Sequence, residues 1–153
     1  MSSEDEGVKF FTEEGDLVVG SDLSRDACDA VVMDWRVGSK VLACGWDDGA
    51  VTLWNVKDCM LKEDSSVHSG RVSHLEWSPE GGRLLSADRN GVVAIWRTDH
   101  RGRLVVAGKR DIGGGEDITC CAWVLSSEYR DAQRELAQPP QQVFVGTKFG
   151  SIV

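Results

Sequence analysis

The chain has 153 residues, 41% hydrophobic and 27% charged, which is ordinary globular composition and excludes a disordered tail, a fibre or a membrane-embedded chain. Its net charge of −8 argues against nucleic-acid binding, which depends on neutralising phosphates. It holds neither an apolar run near the ~18 residues a transmembrane helix needs nor the apolar core of a signal peptide, so neither a membrane span nor secretion is expected.

Acidic residues crowd the start: Glu4, Asp5, Glu6, Glu13, Glu14 and Asp16 face only Lys9. Such a run is expected to be a solvated terminus. Val8-Lys9-Phe10-Phe11 and Leu17-Val18-Val19 read as two short strands.

The chain then repeats itself. Trp35 and Trp77 are 42 residues apart, and Trp123 follows 46 later. A second tryptophan lies 19 residues after each of the first two, at Trp54 and Trp96. The segment Val41 to Trp54 therefore overlies Arg83 to Trp96, with Asp48-Gly49 on Asn90-Gly91. Val72 to Trp77 alternates apolar and polar, the period of a half-buried strand. Ser78 to Gly82 is a turn, and Leu84 to Ala87 a buried strand. Asn90-Gly91 favours a tight hairpin because both residues accept positive φ. Val92 to Trp96 returns, and Leu104 to Ala107 adds a fourth strand. Four strands in about 42 residues is the period of a propeller blade.

Between Trp123 and Gly150 an insertion separates the strands. Ser126-Ser127 can cap a helix, Tyr129, Ala132, Leu136 and Ala137 share one helical face, and Pro139-Pro140 ends it. Val143 to Val153 then repeats the strand–turn–strand pattern, with Gly150 on Gly91.

The pattern H-x-x-x-V-x-x-L-x-W-S-P-x-G from His68 to Gly81, and the endings Gly49 to Trp54 and Gly91 to Trp96, resemble WD-repeat blades. The expected fold is all-β: a partial WD-repeat propeller of about three antiparallel four-stranded blades, with the ring not closed and one short helical insertion. The expected divisions are 1–24 (acidic start and half-blade), 25–67 and 68–115 (full blades), and 116–153 (an incomplete blade with the insertion near 126–138). A ring needs at least four blades. The expectation is therefore an N-terminal piece whose remaining propeller comes from sequence outside this chain, and which self-associates when expressed alone. The structural blade positions are Trp35, Asp48, Trp54, His68, Trp77, Asp88, Asn90, Trp96 and Trp123. The resemblance implies a polar tetrad of His, Ser or Thr, Asp and Trp. The second blade offers His68, Asp88, Asn90 and Trp96; the first offers Asp26, Trp46, Asp48 and Trp54. With the tetrad eroded, the blades are expected to depend more on apolar packing.

Catalytic and cofactor motifs fail. Gly108-Lys109 followed by Gly113-Gly114-Gly115 is no P-loop, because Arg110 follows the lysine and Arg103 stands where the first glycine belongs. The three histidines share no motif with Ser, Cys or Asp, so no catalytic residue, cofactor or metal site is expected, and no enzyme. Cys28, Cys44, Cys59, Cys120 and Cys121 are odd in number and lack metal-ligand spacing, which suggests free, mostly buried thiols in a reducing compartment. One strip reverses the overall sign: Arg97, Arg101, Arg103, Lys109 and Arg110 oppose only Asp99 and Asp111. It is a candidate surface for an acidic partner.

Two stretches are more particular. Val41 to Thr52, with Gly45-Trp46-Asp47-Asp48-Gly49, and Leu75 to Arg103, with Asp88-Arg89 and Trp96-Arg97-Thr98-Asp99-His100-Arg101-Gly102-Arg103, resemble the WD-repeat subunits of intraflagellar transport complex A. Trp46 in the tetrad's Ser position and the insertion in the following blade fit the same family. The resemblance implies a non-catalytic scaffold acting in retrograde ciliary transport and ciliary membrane-protein delivery. Its partners would be other complex A subunits and cargo adaptors, and its location the cilium, ciliary base and cytoplasm. A rival reading is a substrate receptor of a cullin-RING ubiquitin ligase, since Asp48 to Lys57 resembles the blade ending of such receptors, with Lys57 where Arg is preferred.

Overall fold

A computed structural model describes residues 7–18, 23–56, 60–64, 67–112, 115, 117–124, 142–150 and 152. The described strands form four antiparallel sheets in chain order. The first pairs β1 (Gly7–Val8) with β2 (Leu23–Ser24), and a bridge from Phe11 to Leu17 extends it. The second is β3 (Ala30–Trp35), β4 (Val41–Trp46), β5 (Val51–Asn55) and β6 (Met60–Asp64). The third is β7 (Val72–Trp77), β8 (Leu84–Asp88), β9 (Val92–Thr98) and β10 (Leu104–Asp111). The last pairs β11 (Ile118–Val124) with β12 (Gln142–Thr147), and Ile152 bridges to Gly146.

Each four-stranded sheet is a simple meander, every strand beside its sequence neighbour. Both faces are covered. Leu42, Cys44, Trp46 and Trp54 pack with Val8 and Leu23 of the first sheet. Ala43, Val51 and Leu53 point the other way, into a cluster with Val72, Leu75, Trp77, Leu84, Ala94 and Trp96 of the third sheet. Leu85, Ala87 and Val93 meet Ile118 and Val145 of the last. Burial on both faces explains why β4 and β8 read as continuous apolar runs rather than alternating ones. Burying each Leu- or Val-sized side chain this way contributes about 1.5–3 kcal/mol.

Close stacking places one strict demand. A Cβ on Gly45 would stand 2.5 Å from Val72 Cγ1 and 3.0 Å from Val32 Cγ1, so this position of β4 admits the neighbouring sheet only as glycine. Polar contacts also cross between sheets. The Trp77 amide donates to Asp34 Oδ2 at 2.7 Å, and Arg36 Nε donates to the Gly81 carbonyl at 2.7 Å with its guanidinium 5.2 Å from the Trp77 ring centre. Trp123 Nε1 donates to the Glu76 carbonyl at 3.2 Å.

This is the open, all-β, four-stranded-blade architecture expected from the repeats. The helical insertion expected near 126–138 lies outside the described residues. Three details differ. β10 runs on to Asp111 instead of stopping at Ala107. The turn after β8 has one left-handed residue, not two: Gly91 has φ 85°, while Asn90 does not take positive φ. The Gly91 amide closes it on the Asp88 carbonyl at 3.3 Å, and the Asp88 side chain holds Asn90 in place, so the left-handed residue follows the turn rather than forming it. The thiols are less buried than expected. Cys44 is buried, Cys28 and Cys121 are half-buried, and Cys120 is exposed because it lies on the β11 face turned away from the third sheet.

Candidate interaction surfaces

The polar positions of the blade motif come together in the third sheet. His68 enters just before β7, and its Nδ1 lies 3.0 Å from Asp88 Oδ2. Its Nε2 lies 2.6 Å from Ser86 Oγ, which also receives the Trp96 indole N–H at 2.7 Å. An indole only donates, so Ser86 accepts from Trp96 and gives its own proton to His68 Nε2. His68 Nδ1–H then donates to Asp88. The second carboxylate oxygen accepts the amides of Asn90 at 2.9 Å and Val92 at 3.0 Å. Ser86, Asp88 and Trp96 are fully buried and His68 nearly so.

This corrects the expectation of an eroded tetrad in that sheet. Ser86, which motif matching passed over, sits at its centre. The signal was present, since Leu-Leu-Ser-Ala places a lone hydroxyl in an apolar strand. Asn90 contributes a backbone amide, and its side chain donates to Ser69 Oγ at 3.2 Å.

The second sheet solves the same position differently. Pairing of Cys44 with Thr52, against Ser86 with Ala94, puts Cys44 and not Trp46 at the Ser position. Trp46 pairs with Ala30 as Asp88 pairs with Val72, so Trp46 stands at the Asp position. Its indole N–H donates to Thr52 Oγ1 at 2.9 Å, inside the core. Burial pushes the Cys44 thiol up to about 12. Asp26 lies exposed in a turn and joins no such network. Asp48 faces outward, where Arg25 Nη1 donates to both its oxygens at 2.9 Å and the Ala50 amide donates at 3.0 Å. Burial raises the Asp48 carboxyl, but the Ala50 amide, Arg25 and the Cys28 thiol outweigh it and hold the group below its ordinary value. The carboxyl oxygens of Asp47 and Asp48 and the Cys28 sulfur converge within 4.8 Å, with Arg25 already on Asp48.

The aromatic positions divide by exposure. Trp54, Trp77 and Trp96 are buried, Trp123 is half-buried, and Trp35 is 46% exposed. Phe10 stacks on Trp54 at 4.5 Å between ring centres and meets Trp35 edge-on at 6.2 Å. A cleft of about 630 Å³ lies between this first sheet and β3, lined by Lys9, Phe11, Asp29, Met33 and Arg71 among others.

The basic strip does not form one patch. Arg97 and Val105 pair at one end of the sheet, Arg110 and Val93 near the other. Lys109 points to the opposite face from Arg110 and donates from Nζ to the Val67 carbonyl at 2.9 Å. Arg101 and Arg103 lie in the β9–β10 turn with Arg97 beside them. There Asp99 accepts the Arg101 amide at 2.8 Å, the Arg103 amide at 2.9 Å and Arg103 Nε at 2.9 Å.

Four-stranded meanders stacked face to face, with a His–Ser–Trp–Asp network closing one of them, define a WD-repeat β-propeller scaffold. The sequence matches the IFT140 first beta-propeller over residues 1–140, and the chain belongs to that family. Among curated proteins it is similar to the protein transport protein SEC31 of Meyerozyma guilliermondii, 32% identical over 92 residues, which are 54% of this chain and 7% of that protein. It is also similar to the probable cytosolic iron-sulfur protein assembly protein 1 of Candida glabrata, 31% identical over 78 residues, 44% of this chain and 23% of that one. The chain thus spans less than a quarter of either relative. Among solved structures, a chain of the mitotic checkpoint complex aligns with TM-score 0.62 and 19% identity over 77% of this chain and 35% of its own. The Dos1 propeller aligns with TM-score 0.61 and 15% identity over 93% and 33%. These likenesses establish the fold.

Proposed function

We propose that the chain serves as a subunit of intraflagellar transport complex A, acting in retrograde ciliary transport and in delivery of membrane proteins to the cilium. As a WD-repeat propeller domain it is a protein-interaction scaffold, and its family carries a ciliary association. The observation that carries the finer reading is the family match across residues 1–140. The proposed blade limits are 25–67 and 68–115, flanked by 1–24 and 116–153. In this reading the chain binds rather than transforms: rigid blades hold turns in fixed positions for other complex A subunits and cargo adaptors. The proposed location is the cilium, the ciliary base and the cytoplasm. Among the described residues no helix is long and apolar enough to cross a membrane. Proximity labelling with the full-length product in ciliated cells tests it. Complex A subunits at the ciliary base support the proposal, and enrichment of a cullin with its adaptor in their place refutes it.

A further inference from the structure

In an antiparallel meander the first and third turns lie at one end of the sheet and the second turn at the other. The β3–β4 turn (36–40), the β7–β8 turn (78–83) and the β9–β10 turn (99–103) therefore share one side of the stacked sheets. The first two are in contact, through the hydrogen bond of Arg36 to Gly81 and the packing of Arg36 on Trp77. The second and third belong to one sheet, about two strand spacings or ~10 Å apart.

These three turns and the strand ends beside them carry Arg36, Lys40, Arg83, Arg97, Arg101 and Arg103 against Glu80 and Asp99, a local excess of positive charge in a chain of net −8. Lys40, Arg83, Arg97, Arg101 and Arg103 are exposed. Asp99 is consumed inside its own turn, where the Arg103 and Arg101 amides and the Arg103 guanidinium hold its carboxyl down at about 2. Val37, 61% exposed, stands at the tip of the first turn. The sequence strip from 97 to 110 hid this arrangement: Lys109 and Arg110 leave for the far end of β10, while Arg36, Lys40 and Arg83 join from the other turns.

We propose that this face docks an extended acidic polypeptide segment, its carboxylates on the arginine row and an apolar residue against Val37. Five of the six cations are arginine, whose planar fork matches a carboxylate with two parallel hydrogen bonds. Sheet and strand spacings of ~10 Å each make the row about 15–20 Å long, the reach of five or six residues of extended chain. An anionic bilayer fits less well. The turn at residues 12–16, just after the Phe10 ring that meets Trp35 and stacks on Trp54 beside the 36–40 turn, carries Glu13, Glu14 and Asp16, all exposed. A charged plane would cover these acids as well; a single strand can lie on the basic turns alone.

The inference rests on charge placement and not on the ciliary reading, so either can fail without the other. The probe is a fluorescent peptide of six glutamates ending in leucine, read by anisotropy with the full chain at low and raised salt. The triple variant Arg83→Glu, Arg97→Glu, Arg101→Glu changes only exposed side chains, and circular dichroism checks its fold. It is expected to weaken binding about tenfold or more, as raised salt does, while Arg89→Glu with Arg110→Glu at the other end leaves binding within about twofold. Equal loss from both variants, unchanged binding by the triple variant, or capture by phosphoinositide-containing vesicles with no peptide binding would each overturn the proposal.

Discussion

The Ser86 hydroxyl is the point at which the third sheet is most exposed to a single atom's removal. Ser86→Ala deletes Oγ and little else. Two buried groups lose their partner together: the Trp96 indole N–H, held at 2.7 Å, and His68 Nε2, held at 2.6 Å. A buried polar group left unsatisfied costs about 1–3 kcal/mol, so the pair predicts a loss of about 2–6 kcal/mol. The indole cannot turn to water, because Trp96 is fully buried. Thr52→Val in the second sheet is the internal comparison, since it strands the Trp46 indole and takes the hydroxyl from the Cys44 thiol, only a weak hydrogen-bonding group, and predicts about 1–3 kcal/mol. Urea unfolding of both variants, repeated across protein concentrations to separate folding from association, reads the difference as a lower midpoint at unchanged slope. By melting, the Ser86 variant should fall by several degrees more, since 1 kcal/mol shifts a chain of this size by about 2–4 °C. If Ser86→Ala costs no more than Thr52→Val, the assignment of Ser86 as a two-sided hub is wrong.

Gly45→Ala drives a methyl to 2.5 Å from Val72 Cγ1 and should cost about 1–3 kcal/mol by overpacking; a neutral effect in the same urea assay would mean the second and third sheets do not stack this closely. Alkylation of the native chain with iodoacetamide should label exposed Cys120 before Cys44, whose thiol burial pushes up to about 12, and peptide mass spectrometry after a timed quench gives the order. The Asp99 carboxyl is lowered from its ordinary 3.8 to about 2, chiefly by the Arg103 amide. A lowered carboxyl stabilises its turn in full above the unfolded value, and loses that contribution as pH falls through the folded one. The 99–103 turn should therefore stay formed at neutral pH and open between about pH 4 and 2, followed through the Arg101 and Arg103 amide resonances; amides that hold steady across that range would contradict it.

Much of the fold was legible because it repeats. Two tryptophans at one spacing, twice, with glycine turns between them, fix strand number and order without any tertiary information. The polar network was less legible because its members are chosen by side-chain direction. In a strand, a shift of one residue exchanges faces. Laying Val41–Trp54 on Arg83–Trp96 already sets Trp46 on Asp88 and Cys44 on Ser86, but with Ser86 unrecognised the Ser position had no anchor until the pairing of Ala30 with Trp46 showed the equivalence. Ser86 escaped notice because a short hydroxyl in an apolar strand resembles filler until an indole and an imidazole converge on it. The basic turns were hidden for the opposite reason. Residues 36–40, 78–83 and 99–103 are distant in sequence, and only the up-and-down path of the meanders brings them to one side.

The second, third and last sheets treat equivalent positions in graded fashion, and the gradient has a mechanical reading. In the third sheet Ser86 and Asp88 are tied to His68 and Trp96. In the second, Cys44, Trp46 and Thr52 retain one buried indole bond. In the last, pairing of Trp123 with Val143, as Trp77 pairs with Leu84, puts Val145 in the place of Ser86 and Thr147 in that of Asp88. Thr147 Oγ1 is buried with no hydrogen-bond partner among the described residues. Directional bonding is thus most extensive in the third sheet, one of the two described sheets with apolar clusters on both faces. Stability in stacked repeats is set by each unit and its nearest interfaces. A rigid third sheet holds both interfaces in register, and the flanking sheets can then rely on apolar packing. Its turns also supply most of the basic row, so the part of the chain best fixed by internal bonds is the part that presents its charges to a partner in one geometry.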